Sequence, residues 1–329
     1  MKVIVSRTDA IGDVILTLSL LGFLKSKLSE IEIFFLASQY TQPILESCKF
    51  VDKFINYSEI KELDKIEASE RLKNYEADVI LHVFPNSKVA KLAKMAKIPV
   101  RVGTRNRFFH WTTCNKLIKL SRKNSDLHEA QLNLKFAEYF GLSSDLSIDE
   151  LPEFYGFECK EKLLPEFAKL LDSNRKNIIF HPKSNLSARE WGIDNFNKLA
   201  SLMPEANIFI TGTEKERKAI EDEFDFSLTN TTNLIGKFSL SQLVAFISNC
   251  DALVAASTGP LHIAAFTGIT AVGLFPPIRP MHAGRWGAIG KKAKSFSLEK
   301  ECNKCRKSLD CTCLKDISAG EIANFLTEI

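Results

Sequence analysis

Short apolar runs alternate with helix-like segments along most of the chain, and they do so in two separate series. In the first, "KVIV" leads into a helical stretch from Asp13 to Lys27, and "IEIFFLAS" precedes "TQPILESC". "VDKFINY" precedes "ELDKIEASERLKNY", "ADVILHVF" precedes "SKVAKLAKMAKI", and "VRVGT" follows. The second series starts near residue 175 with "KNIIFHP" before "GIDNFNKLASLM" and "ANIFITGT" before "EKERKAIEDEF". It continues with "LTNTTNLIG" before "SLSQLVAFISNC", then "DALVAAST" before "GPLHIAAFTG", and closes on "TAVGLFPP". Near-continuous apolar strands linked by helices demand a parallel sheet covered on both faces. The pattern therefore predicts two doubly wound α/β domains in tandem, residues 1–155 and 156–315, with a cleft between them. Residues 316–329 form a last helix that packs back. The intervening "SSDLSIDELPEFYGFECKEKLLPEF", with two prolines and clustered acids, reads as a linker plus one helix.

With 329 residues, 45% of them hydrophobic and 26% charged, the chain can fill two cores. A net charge of +4 implies no polyanionic partner by itself. No apolar run approaches the roughly 18 residues of a membrane helix, and the first 25 residues lack a signal peptide's uninterrupted apolar stretch. We expect a cytoplasmic protein with reduced cysteines. Cys48, Cys114, Cys159 and Cys250 are scattered and read as small core residues.

The first strand-to-helix turn, "RTDAIGDVILTL", has one glycine and two aspartates, Asp9 and Asp13. It lacks the G-x-G-x-x-G of a dinucleotide site, which excludes a Rossmann dehydrogenase, and the chain has no P-loop. Asp13 reads either as a helix-start acid or as a general base at the ligand end of the first strand. A helix start should lower its pKa and weaken it as a base. In the second half, "HPKSNLSAREWG" offers Lys183, Ser184, Ser187 and Arg189 in a loop before a helix, groups suited to phosphate oxygens. In "STGPLHIAAF", Ser257 and Thr258 read as caps, Gly259 permits close backbone approach, and Pro260 suits the first turn before His262. That helix start is an anion site or a well-capped structural helix. "ITGTEKER" adds Gly212 and Glu216, a carboxylate placed to hold ribose hydroxyls or an ordinary surface acid.

Between Val79 and Ser125 there are eleven Lys and Arg residues and no acid. Lys88, Lys91 and Lys94 share one helix face, while Arg101, Arg105 and Arg107 lie on the strand and loop beyond. This is a solvated basic face or a field for an acidic lipid headgroup or phosphorylated acceptor. No nucleic-acid motif accompanies it. Near the other end, "CNKCRKSLDCTC" places Cys302, Cys305, Cys311 and Cys313 close enough for a tetrahedral zinc site; an iron–sulfur site or redox thiols fit the spacing less well.

These stretches together resemble glycosyltransferase family 9, the heptosyltransferases of bacterial lipopolysaccharide inner core. The resemblance runs from "RTDAIGDVILTL" through "SAREWGIDNFNKLA" to "STGPLHIAAFTGITAVGLFPPIRPMHAGRWG". It implies a GT-B fold: an N-terminal domain for the acceptor, a C-terminal domain for a nucleotide sugar, typically ADP-heptose, and inverting transfer that needs no metal. It places the catalytic acid at Asp13 and diphosphate contacts at Arg189, Thr258, Gly259, Pro260 and His262. Glu216, or Glu214 beside it, matches the ribose acid. Arg7, Arg101, Arg105, Arg107 and His110 are the acceptor candidates on a lipopolysaccharide core or lipid A, with the lysine face toward an anionic inner membrane whose cytoplasmic side the enzyme would visit. One departure stands at Ser257, where heptosyltransferases often carry an aspartate that meets donor hydroxyls. Another hexose or heptose, or a UDP or GDP sugar, therefore stays open, as does a non-catalytic nucleotide- or glycan-binding protein on the same scaffold.

Overall fold

The computed structural model describes residues 1–123, 125–185, 188–299, 302, 304–305 and 311–329. The chain divides into two compact units, Met1–Lys160 and Glu161–Ile329.

The first unit contains strands β1 (Lys2–Ser6), β2 (Glu32–Ala37), β3 (Lys53–Asn56), β4 (Val79–Leu81), β5 (Val100–Thr104) and β6 (Lys116–Ile118). Its helices are α1 (Ile11–Lys27), α2 (Gln42–Glu46), α3 (Tyr57–Ile60), α4 (Lys65–Lys73), α5 (Ser87–Met95), α6 (Phe108–Thr113) and α7 (Glu129–Leu134). The sheet order is β3-β2-β1-β4-β5-β6. Every pairing is parallel, with Val3 opposite Ile33 on one side and Val79 on the other. The order reverses beside β1, so the carboxyl ends of β1 and β4 flank a switch point, where ligands of doubly wound sheets sit.

The second unit repeats the plan. Its strands are β7 (Asn177–His181), β8 (Asn207–Ile210), β9 (Thr231–Asn233), β10 (Ala252–Ala256), β11 (Thr270–Leu274) and β12 (Ala293–Phe296). Helices α8 (Pro165–Ala168), α9 (Ile193–Ser201), α10 (Arg217–Glu221), α11 (Leu240–Ser248), α12 (Gly259–Thr267) and α13 (Ala283–Trp286) connect them. The order β12-β11-β10-β7-β8-β9 is again all parallel and reverses between β7 and β10. The final helix, Ala319–Glu328, turns Ile322, Ala323 and Leu326 into the core that holds Phe180, Trp191 and Phe196. Ser318 Oγ accepts from the Glu321 N–H and starts that helix.

Much of what reads as a linker is packed. Residues Ile148–Phe154 form a 3-10 helix started by the Ser147–Glu150 capping box, and it lies on α1. Lys49 N–H donates to Gly156 O and Glu158 N–H to Ser47 O, which ties the segment to the first unit.

Helix α1 is buried without a break from Val14 to Leu24, because its sequence is apolar around the whole circumference. Gly22 is the point of closest approach: a Cβ there would stand 2.2 Å from Phe154 O and 2.7 Å from the Phe50 ring. Helix propensity alone favours alanine over glycine by about 1 kcal/mol. Here the clash is with backbone, so overpacking wins. Gly22→Ala is expected to lower stability by about 1–3 kcal/mol, measured by urea unfolding, instead of raising it.

Candidate functional site

In the first unit, β1 ends one residue before Arg7, whose N–H extends the ladder to Leu36 O at 3.0 Å. Arg7 is only 2% exposed. Its guanidinium donates to Asp9 Oδ1 at 2.8 Å, Glu129 Oε1 at 3.2 Å, Asn133 Oδ1 at 3.1 Å and, in a short bond, Asp13 Oδ1. Arg122 joins from the other side, donating to Glu129 Oε1 at 2.7 Å, Asn133 Oδ1 at 3.2 Å and Val83 O at 3.1 Å. Asn133 then donates to Leu16 O and Thr17 Oγ1 of α1. Two guanidinium groups and three carboxylates thus meet where β1, α1 and α7 converge.

This cluster corrects two expectations. Arg7, an acceptor candidate, is a buried clamp committed to three acids and an amide. Asp13 does not cap: the N-cap position of α1 is Ala10, with no side-chain cap. Nor is its pKa lowered. Burial raises it, Glu129 raises it further, and these outweigh Arg7 and Arg122. Asp9 beside it is pushed up to about 6, by burial first. Asp13 Oδ2 carries no hydrogen bond among the described residues, and the side chain is 20% exposed. A carboxylate held by one oxygen, raised in pKa and reachable by solvent has the properties of a general base.

The remaining acceptor candidates do not form one site. Arg101 faces Ile80 across the sheet and donates to Ile98 O and Thr113 O, so it holds the backbone between strands. Arg105 and Arg107 are exposed after β5. His110 is fully buried, with Nδ1 accepting from the Thr104 N–H at 2.9 Å. It packs against Gly103, where a Cβ would come within 2.7 Å of its ring, and beside His82 at 5.6 Å between ring centres. A side chain so enclosed cannot meet a surface acceptor.

In the second unit, the carboxyl ends of the neighbouring strands β10, β7 and β8 gather the predicted donor residues. After β7, Lys183 Nζ donates to Glu190 Oε2 at 3.1 Å, and Ser184 N–H to Glu190 Oε1 at 3.1 Å. Ser184 Oγ donates to Ala188 O at 2.8 Å. Ser187 lies outside the described residues. Gly212 and Thr213 follow β8, and Thr213 and Glu216 form a capping box. The other Glu216 oxygen accepts from Asn185 N–H at 2.9 Å, which pins the β7 loop to the β8 loop. Burial works to raise the Glu216 carboxyl, but the Thr213 bonds, His181 and Asn185 hold it below the ordinary range. Glu214 is turned to Arg217.

After β10 the chain enters α12. Thr258 stands at the N-cap but its side chain does not cap, contrary to expectation. Its hydroxyl is buried and has no partner among the described residues. The first-turn N–H groups have no intrahelical acceptor, as at any helix start. An uncapped nine-residue helix and an orphaned buried hydroxyl together make a polar cradle for an anion. His262 is buried one turn in.

Arg189 donates to Cys305 O, which joins the loop after β7 to the cysteine segment. All four Sγ atoms of Cys302, Cys305, Cys311 and Cys313 lie within 4.8 Å of one another. Cys305 and Cys311 are 3.1 Å apart and Cys302 and Cys311 3.5 Å. A tetrahedral zinc with 2.3 Å bonds needs sulfurs about 3.8 Å apart, so the set fits a metal.

The profile of glycosyltransferase family 9 (heptosyltransferase) matches residues 66–314. The chain belongs to glycosyltransferase family 9. It is 24% identical over 300 residues to the lipopolysaccharide core heptosyltransferase OpsX of Haemophilus influenzae, covering 86% of this chain and 81% of the relative. The solved structure of Escherichia coli ADP-heptose LPS heptosyltransferase II superimposes with a TM-score of 0.77 at 21% identity, over 100% of this chain and 98% of that one. Escherichia coli heptosyltransferase WaaC with ADP gives 0.75 at 15% identity, over 100% and 99%. The fold is therefore GT-B, and the chain is a glycosyltransferase. Sequence reading of this family 9 member missed Glu129, Asn133, Arg122 and Glu190. Glu129 and Asn133 meet Arg7, and Arg122 meets Glu129 and Asn133, only through the tertiary fold; Glu190 had a signal, as the acid beside Arg189.

The His82–His110 pair predicts a pH effect. Burial lowers the His82 pKa to about 3 and lowers His110 too. Below about pH 6.5 the unfolded chain takes up protons that the folded pair refuses, so this term costs stability as pH falls. Asp9, raised to about 6, acts in the opposite sense. The difference between wild type and His82→Leu isolates the histidine: wild type should lose about 2 kcal/mol more than the variant between pH 7 and 5, by urea unfolding.

Proposed function

We propose that this family 9 enzyme transfers a heptose from ADP-heptose to a hydroxyl of the inner core of lipopolysaccharide or lipooligosaccharide. The observation that carries the reading is the Asp13 carboxylate, fixed by Arg7 through one oxygen and raised in pKa by burial. The acceptor hydroxyl gives its proton to Asp13 Oδ2 as its oxygen attacks the anomeric carbon. The bond to the nucleoside diphosphate breaks on the opposite face, so the centre inverts. Protonated Asp13 remains bonded to Arg7. Negative charge gathers on the departing diphosphate, and the start of α12, the Thr258 hydroxyl and Arg189 are suited to receive it. That arrangement does without a metal at the reacting centre. Relatives named for heptose transfer and for ADP support this donor.

Asp13→Asn should lower kcat by about 10²–10⁴-fold while the thermal shift produced by donor stays at wild-type size. A variant that transfers at near wild-type rate contradicts the assignment. Thr258→Val should weaken donor binding about tenfold with less effect on bound-state turnover. Because Ser257 stands where heptosyltransferases often carry an aspartate, a thermal-shift comparison of ADP-heptose with UDP- and GDP-sugars tests the donor: a shift with ADP-heptose is expected, and a shift with the others alone would reassign the sugar.

The four cysteines would hold a structural zinc that fixes the loop carrying Cys305 O, and through it Arg189. Untagged protein should contain about one zinc per chain, and Cys311→Ser should lose it and unfold at lower temperature. Metal-free protein of unchanged stability contradicts the site.

A further inference from the structure

A cavity of about 680 Å³ opens on the helical face of the first unit, among α3, α4, α5 and α6. Its floor is apolar, from Ile60, Leu63, Ala68 and Leu92, and its walls carry Lys61, Lys65, Lys88, Lys91 and Lys94, with no acid in the lining. Two of the lysines have local partners: Lys61 lies 3.6 Å from Glu62, and Lys94 donates to Thr112 O. Lys65, Lys88 and Lys91 form no ion pair among the described residues.

A second observation stands around the same cavity. Large apolar side chains are exposed on three of its helices: Ile66 at 71% on α4, Met95 at 44% on α5, and Phe108 at 88% and Trp111 at 62% on α6. Met95 and Thr112 line the cavity, Ile66 follows the lining Lys65, and Phe108, Trp111 and Thr112 share a helix face by their spacing. Trp111 Nε1 donates to Arg105 O at 2.9 Å, which anchors the exposed ring. Water gains nothing from such exposure. Aromatics with aliphatic neighbours, ringed by lysine, match the boundary of a bilayer, where rings enter the headgroup layer and ammonium groups meet lipid phosphate. Nucleic acid would use the lysines and the rings but leave Ile66, Met95 and the apolar floor without a role.

We infer that this face docks on an anionic membrane, with a lipid phosphate seated among Lys65, Lys88 and Lys91 and with Phe108 and Trp111 inserted beside it. This goes beyond the transferase reading and does not depend on which sugar is moved. It also separates the lysines from the Arg7–Asp13 centre: they bind the surface, not the reacting acceptor.

The test is co-sedimentation of the full chain with phosphatidylglycerol–phosphatidylcholine vesicles against phosphatidylcholine alone. Wild type should bind the first and ignore the second. The triple variant Lys65→Gln, Lys88→Gln, Lys91→Gln should lose about a hundredfold, at roughly fivefold per lysine. Phe108→Ser with Trp111→Ser should also weaken binding, and brominated lipid should quench wild-type fluorescence but not that of Trp111→Phe. The control Lys291→Gln, Lys292→Gln, Lys294→Gln removes equal charge from a basic cavity of the second unit and should bind normally. An equal loss in the control would overturn the inference, as would wild type that ignores anionic vesicles while binding glycerol phosphate or single-stranded RNA. Donor-induced thermal shift should be unchanged in the triple variant, so a failed docking surface is distinguished from a failed transferase.

Discussion

The buried guanidinium of Arg7 is the contact around which the end of β1 is organised. It lies at the end of the central strand and reaches Asp9 and Asp13 beside α1, and Glu129 and Asn133 on α7. Removing one member of such a cluster leaves a buried charge uncompensated, which costs about 3–5 kcal/mol. Burial, with Glu129 beside it, keeps the Asp13 carboxyl raised against Arg7 and Arg122, and the Arg7 bond keeps it oriented. A lone acid at a helix start would be held low by the helix dipole and would be free to rotate. The network supplies the opposite of both properties.

The second unit uses the same sheet order for a different task. Its ligand end is built from backbone and hydroxyl groups rather than a charge cluster. Glu190 and Glu216 spend their oxygens on the loops after β7 and β8, while the Thr258 hydroxyl at the start of α12 stays without a partner among the described residues. The duplicated topology thus places a buried carboxylate cluster at the end of β1 and an uncapped helix start with a buried hydroxyl at the end of β10. Nothing in the strand pattern itself distinguishes the two ends; the turn residues do.

The architecture was legible because parallel strands buried on both faces write continuous apolar runs, and most of those runs are followed by segments of helical pattern. That Asp13 and the Thr258–His262 segment sit in turns at the carboxyl ends of strands was legible because such turns are local. The Arg7 partners were not, since Glu129 and Asn133 are more than a hundred residues away and only the packing of α7 on α1 brings them in. His110 misled because a histidine in a basic stretch gives no sign that Gly103 has cleared room to bury it. The lysine face of α5 was visible from its spacing, whereas Lys61 after α3 and Lys65 at the start of α4, which complete its cavity, were not.

The pH dependence of sugar transfer in Glu129→Gln tests the central claim most directly. Glu129 raises the Asp13 pKa and also occupies Arg7 and Arg122. Its neutralisation should move the acid limb of kcat to lower pH, while the thermal shift given by donor is preserved. An acid limb that stays in place while Asp13→Asn remains active would contradict the account, because the base would then lie elsewhere.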